Sequence, residues 1–171
     1  KSEYVDGEIY AMTGASHQHN RISINVGAQL WNQLQDRPCE PMVADMRVRV
    51  GRRAYLYPDI VVVCGEAQVE DEGGDTLLNP TLVVEVLSPS TENYDFGKKF
   101  TLYPSIPSLQ EYLLVAQDRC HVAHYVRQGD NTWLLSETFA LDDTLALPSI
   151  DGRLALRDVY QRVEFPANAD E

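Results

Sequence analysis

Three short runs constrain this chain more than anything else in it: Ile-Val-Val-Val-Cys from Ile60, Leu-Val-Val-Glu-Val-Leu from Leu82, and Glu-Tyr-Leu-Leu-Val-Ala from Glu111. Each is apolar at successive positions, whereas a strand with one wet face alternates. Such strands are buried on both faces, so the sheet that contains them needs a covering layer on each side. At 171 residues the chain is long enough for one substantial core and short for two. The reading is therefore α/β (α+β): a mixed central β-sheet flanked by helices, in a single domain over residues 1–165 with a flexible tail over 166–171.

The remaining elements fit around that sheet. Tyr4 to Met12 reads as a strand or tight hairpin turning at Asp6-Gly7. Ile22, Val26, Leu30 and Leu34 repeat every four residues and predict a helix over about 17–34, capped by Ser16, with Pro38 marking its exit. In the segment from Met42 to Val50, Met46, Val48 and Val50 alternate with Arg47 and Arg49, the pattern of a half-buried strand. Ala54 to Cys64 reads as one further strand. Residues 65–79 are rich in acids and glycine and predict a solvated loop. Phe96, Phe100 and Tyr103 share one side of a short helix that ends at Pro104 and Pro107. After the strand from Glu111, the turn Gln128-Gly129-Asp130-Asn131 predicts a hairpin. A C-terminal amphipathic helix is expected over Leu154 to Val163.

Charge and cysteine usage exclude several classes. The net charge is −12, which rules out binding nucleic acid through overall basicity. No apolar run approaches a membrane span. The opening residues carry acids where a secretory leader has its apolar core, and the chain starts inside patterned sequence, so an upstream element is expected. Cys39, Cys64 and Cys120 are odd in number and widely spaced. They read as small core hydrophobes in a reducing cytoplasm, not as a disulfide framework or a zinc site.

Two acids do not fit a bland core. Glu85 sits inside a fully apolar strand, where an ionised carboxylate is costly unless paired or metal-bound. Asp59 stands at the entry to another such strand. Two carboxylates on neighbouring strands can converge on a divalent cation, since hard cations take oxygen ligands. They can equally be satisfied by arginine or backbone amides. Lys98 or Lys99, on the helix that follows, is in reach of the same edge, although Asp95 and Lys99 are also spaced as an ordinary surface ion pair.

Pro58-Asp59, Glu85 within Val-Val-Glu-Val-Leu-Ser-Pro-Ser-Thr, and a downstream lysine resemble the PD-(D/E)XK nuclease superfamily. The sequence is more closely similar to the restriction-endonuclease-like family called domain of unknown function 820. The match runs in order from Glu3-Tyr4-Val5-Asp6-Gly7 through the His19 region, Asp45-Met46-Arg47-Val48 and Tyr94-Asp95-Phe96-Gly97-Lys98-Lys99, to Glu111-Tyr112-Leu113-Leu114-Val115. The resemblance implies a restriction-endonuclease-like core with an added C-terminal hairpin and helix. It also implies a Mg²⁺ or Mn²⁺ site at Asp59, Glu85 and the Val86 carbonyl, with Lys99 orienting the attacking water or stabilising phosphoryl charge. Leu87 stands where the parent pattern has its lysine, so that lysine is moved to the helix. Glu3, His19 and Lys98 are accessory candidates.

The implied activity is metal-dependent hydrolysis of phosphodiester bonds in nucleic acid, DNA foremost. The competing reading is a catalytically inactive module of the same fold that binds nucleic acid or a protein. Arg47 and Arg49, followed by Arg52 and Arg53, form the best local basic patch for a phosphate backbone, and equally make a solvated strand face. The apolar hairpin faces and Trp133 suggest a homodimer.

Overall fold

The computed structural model describes residues 1–70 and 72–167. Asp71, within the expected acidic loop, and residues 168–171, within the expected tail, lie outside the described residues.

The hairpin forms as read: β1 (Ser2–Val5) and β2 (Glu8–Ala11) pair antiparallel. Asp6 and Gly7 both take positive φ, at 51° and 95°, which is what a two-residue turn matching the strand twist requires. Helix α1 (His17–Leu34) begins where Ser16 accepts a hydrogen bond from the His19 amide at 3.0 Å. Ile22, Val26, Leu30 and Leu34 form its buried stripe.

The strand expected from Met42 to Val50 is two strands, β3 (Cys39–Val43) and β4 (Arg47–Val50). Ala44 and Asp45, both at positive φ, break it. The strand expected from Ala54 to Cys64 also divides, into β5 (Ala54–Leu56) and β6 (Ile60–Cys64), which belong to different sheets. Pro58 supplies no amide donor and marks the break. Part of the acidic loop is structured as well: β7 (Thr76–Leu77) is buried and pairs in parallel with β4. Next come β8 (Leu82–Leu87), β9 (Glu111–Ala116), and the hairpin β10 (Val122–Arg127) and β11 (Trp133–Thr138). The expected C-terminal helix is one turn, Leu156–Val159. The residues before it form β13 (Gly152–Ala155), paired with β12 (Thr144–Leu147).

Among the described residues the central sheet has the order β11-β10-β9-β8-β6-β3, with β8 and β9 parallel and its other pairs antiparallel. Its inner strands β6, β8 and β9 are buried on both faces, as continuous apolar runs demand. One face presents Ile60, Val62, Leu82, Val84, Val86, Leu113 and Val115 to α1 and the β12–β13 unit. The other presents Val61, Val63, Val83, Tyr112 and Leu114 to a second sheet, ordered β2-β1-β5-β4-β7, and to the helical segment 92–105. No described helix is long and apolar enough to cross a membrane.

The cysteines depart from the reading. Cys39 and Cys64 are directly opposed across the β3–β6 pair and form a disulfide, with Cys120 left free. Their separation of 25 residues carries no local sign of pairing; the strand register alone brings them together. The bond also removes the cysteine-based argument for a reducing compartment.

Candidate metal and phosphodiester site

The break between β5 and β6 leaves Asp59 just past the end of the β6–β8 ladder, whose last pair is Ile60 with Val84. Its Oδ2 accepts the Val86 amide at 2.7 Å, so the side chain continues the ladder that the backbone has left. In an extended strand a residue's N–H and C=O point the same way. The Val86 carbonyl therefore also faces the Asp59 side. On the other oxygen, His19 Nε2 lies 3.1 Å from Asp59 Oδ1. His19 Nδ1 is buried with no hydrogen-bond partner.

Strand periodicity turns Glu85 toward the second sheet and the 92–105 segment. That segment is helical over Glu92–Tyr94, widens to a π-helical turn over Asp95–Lys99, and resumes over Phe100–Leu102. Such wide turns recur at functional sites because they re-aim side chains. Here the turn carries Asp95 and Lys99 inward while Lys98 stays outside. Lys99 Nζ lies 2.9 Å from Glu85 Oε1, 3.2 Å from Glu3 Oε1 and 3.2 Å from Asp95 Oδ1. All four side chains are buried, so Asp95–Lys99 is not the surface pair that its spacing allowed. Tyr103 donates its hydroxyl to Glu85 Oε1 at 2.8 Å, and the Tyr57 amide donates to Glu3 Oε1 at 2.9 Å.

The electrostatics follow from burial. Desolvation pushes the Glu85 carboxyl well above its ordinary value; Lys99 opposes this, while Asp95, Asp59 and Glu3 add to it. Burial works against the Lys99 charge, yet Glu85, Asp95 and Glu3 together outweigh it and hold the ammonium well above its usual range. Asp95 is also raised, chiefly by burial and in part offset by Lys99. Tyr103 is pushed well up, first by burial and then by the negative charge of Glu85 beside it.

The structure thus brings Glu3, Glu85 and Lys99 into contact, and sets Asp59, with the Val86 amide and His19, as an adjoining cluster that acts on Glu85 through space; among the described residues no three carboxylate, His or Cys side chains already stand as a metal-ligand set. It adds Asp95, Tyr103 and the Tyr57 amide, which sequence reasoning did not assign to a site. Tyr103 carried a faint signal, as an aromatic on the inward side of the segment. Lys98 is elsewhere: its ammonium bonds the Tyr10 hydroxyl and lies 4.6 Å from that ring's centre. Arg47 and Arg49 are not a bare cationic face. Arg47 reaches Asp75 at 2.9 Å and Thr76 at 2.7 Å, and Arg49 reaches Glu70 at 2.7 Å.

The whole arrangement lies inside one family match. The Uma2 family, described as "Putative restriction endonuclease", matches residues 1–157. This chain belongs to the Uma2 family. Two relatives come from Synechocystis sp. and are named only as uncharacterized proteins. The chain is 42% identical to sll1609 over 138 residues, covering 80% of this chain and 78% of that protein. It is 38% identical to slr1290 over 166 residues, covering 96% and 86%. A crystal structure from Anabaena variabilis, titled as that of "a putative nuclease belonging to DUF820", superposes with a TM-score of 0.79. It covers 95% of this chain and 91% of that one at 20% identity, which establishes a shared fold. The mixed sheets and sparse helices of this Uma2 chain are those of a nuclease-like fold, as expected from its sequence.

Proposed function

We propose that this protein is a Mg²⁺- or Mn²⁺-dependent endonuclease that hydrolyses phosphodiester bonds of nucleic acid, DNA foremost. One observation carries the reading. The carboxylates of Glu3, Glu85 and Asp95 share a single buried ammonium, Lys99, and Asp59, Asp95 and Glu3 all act electrostatically on Glu85. That is an excess of hard oxygen donors and of negative charge, the donor chemistry suited to a divalent cation. Family membership supports the reaction class, and an inward-facing Val86 carbonyl supports the ligand set of Asp59, Glu85 and Val86.

Asp59, Glu85 and the Val86 carbonyl would hold the ion, and its chemistry there would be to lower the pKa of a bound water and polarise a phosphoryl oxygen. The protein's own residues do the rest. The Val86 amide and His19 fix both oxygens of Asp59, so that ligand needs little reorganisation. Lys99 and Tyr103 hold Glu85 through one oxygen, Oε1, and oppose the burial that disfavours its charged form. The ammonium of Lys99, pinned by three carboxylates, acts through them and through its field on negative charge building at the phosphate. A homodimer through the exposed Leu134 and Leu135 of edge strand β11 would give a duplex two sites; a monomeric mass in light scattering removes that part.

The test is cleavage of single- and double-stranded DNA and of RNA with Mg²⁺ or Mn²⁺, in wild type, Asp59→Asn and Glu85→Gln. Metal-dependent cleavage lost in both variants supports the assignment. Folded wild type that cleaves nothing and binds its nucleic acid unchanged in both variants favours the inactive module.

A further inference from the structure

Arg37, Arg47, Arg49, Arg53, Arg119 and Arg157 each hold an acid. Among the described residues Arg21, Arg52, Arg127, Arg153 and Arg162 make no such ion pair, and Arg21 and Arg162 come together in one open cleft of about 420 Å³ with Ile24, Asn25 and Gln161. None of these lining residues is acidic, in a chain of net charge −12. The cleft is built from both ends of the described chain. Arg21 Nη1 donates to the Arg162 carbonyl at 3.0 Å, and Asn25 donates to the carbonyls of Val159 and Gln161, each at 2.9 Å. Arg21 Nη2 also lies 3.1 Å from His17 Nε2. Those contacts orient one guanidinium and fix the backbone that carries the other, which is preorganisation for an anion.

We infer that this cleft binds phosphates of the nucleic-acid backbone, across α1 from the candidate metal site; the ligand class rests on the nuclease reading above. Helical geometry places Arg21 and His17 roughly 200° around α1 from His19. The two sites therefore lie on opposite faces of the first turn of α1, a helix diameter of about 10 Å apart. That first turn carries no acidic residue. A strand held at Asp59 that passes over the N-terminal end of α1 brings further phosphates to Arg21 and Arg162. Both contact the backbone and not bases, so the cleft strengthens binding without sequence preference.

The test is fluorescence anisotropy of a labelled oligonucleotide with the full chain, in EDTA, between about 50 and 200 mM salt. Arg21→Gln keeps a donor for the Arg162 carbonyl, and Arg162→Asn suits a backbone at φ 61°. The double variant is expected to bind roughly tenfold more weakly at the low-salt end. Its slope of log K against log salt should fall by about 1.4 on single strands or 1.8 on duplex. If the double variant does not fold, Arg162→Asn alone carries the test, with half that change of slope. Arg119→Gln/Arg153→Gln, the same loss of two charges at exposed positions outside the cleft, should leave both quantities in place.

Unchanged affinity and slope in the double variant overturn the inference, and so does an equal loss in Arg119→Gln/Arg153→Gln. Inorganic phosphate that binds wild type but not the double variant, with oligonucleotide binding unaltered, makes this a small-anion site and also overturns it. Wild type that binds no nucleic acid removes this inference and the nuclease reading together. Cleft-dependent binding without metal-dependent cleavage removes only the latter.

Discussion

Replacing Lys99 with methionine removes the one cation among Glu3, Glu85 and Asp95 while keeping most of the volume. The Lys99 side chain is 6% exposed and its three partners are 4% exposed each, so water does little to screen what remains. The least costly escape for the stranded charge is protonation of one carboxylate. An unperturbed glutamate near 4.3 would cost about 3.7 kcal/mol to protonate at pH 7, which is an upper bound here because burial already raises Glu85 and Asp95. Breaking a buried ion pair from one side generally costs about 3–5 kcal/mol, so a loss of about 3 kcal/mol is expected. In metal-free urea unfolding at pH 7, with a slope of about 1–3 kcal/mol/M, the midpoint of Lys99→Met should fall by at least about 1 M. A loss under about 1 kcal/mol with an unchanged slope would refute the reasoning, because the carboxylates would then be solvated or already protonated in wild type.

Three further outcomes follow from individual contacts. Tyr103→Phe removes a hydroxyl donated to buried Glu85 at 2.8 Å and should cost about 1.5–3 kcal/mol in the same assay; an effect near zero would mean that Glu85 does not depend on it. Reduction of Cys39–Cys64, which closes a span of 25 residues, should cost about 3.5 kcal/mol on the loop-entropy account. This is read as a fall in melting temperature with reductant that is absent in the Cys39→Ser/Cys64→Ser variant. Ser16→Ala should cost about 1 kcal/mol by removing the cap on α1, checked by denaturation; no change would show that the His19 amide finds another acceptor.

What was legible in the sequence was local or repetitive. The four-residue repeat and Ser16 located α1, and the unbroken apolar runs located β6, β8 and β9. An acid inside such a run singled out Glu85, because the cost of burying charge does not depend on fold details. Features set by long-range register were not legible. Nothing near Cys39 announces Cys64, nothing near Arg49 announces Glu70, and the Asp75 that binds Arg47 lies across a strand pairing. The choice between Lys98 and Lys99 depends on a π-helical turn that has no compositional signature. The parent-pattern position held by Leu87 is buried among apolar residues, and Lys99 reaches the same carboxylate from the helical segment.

The central claim is that these carboxylates hold a divalent ion, and Mn²⁺ titration by calorimetry tests it without requiring any substrate. The account predicts one Mn²⁺ per chain in wild type, with binding lost or strongly weakened in Asp59→Asn and in Glu85→Gln while both variants stay folded. Folded wild type that binds no Mn²⁺ at millimolar concentration, or variants that bind it as tightly as wild type, would contradict it.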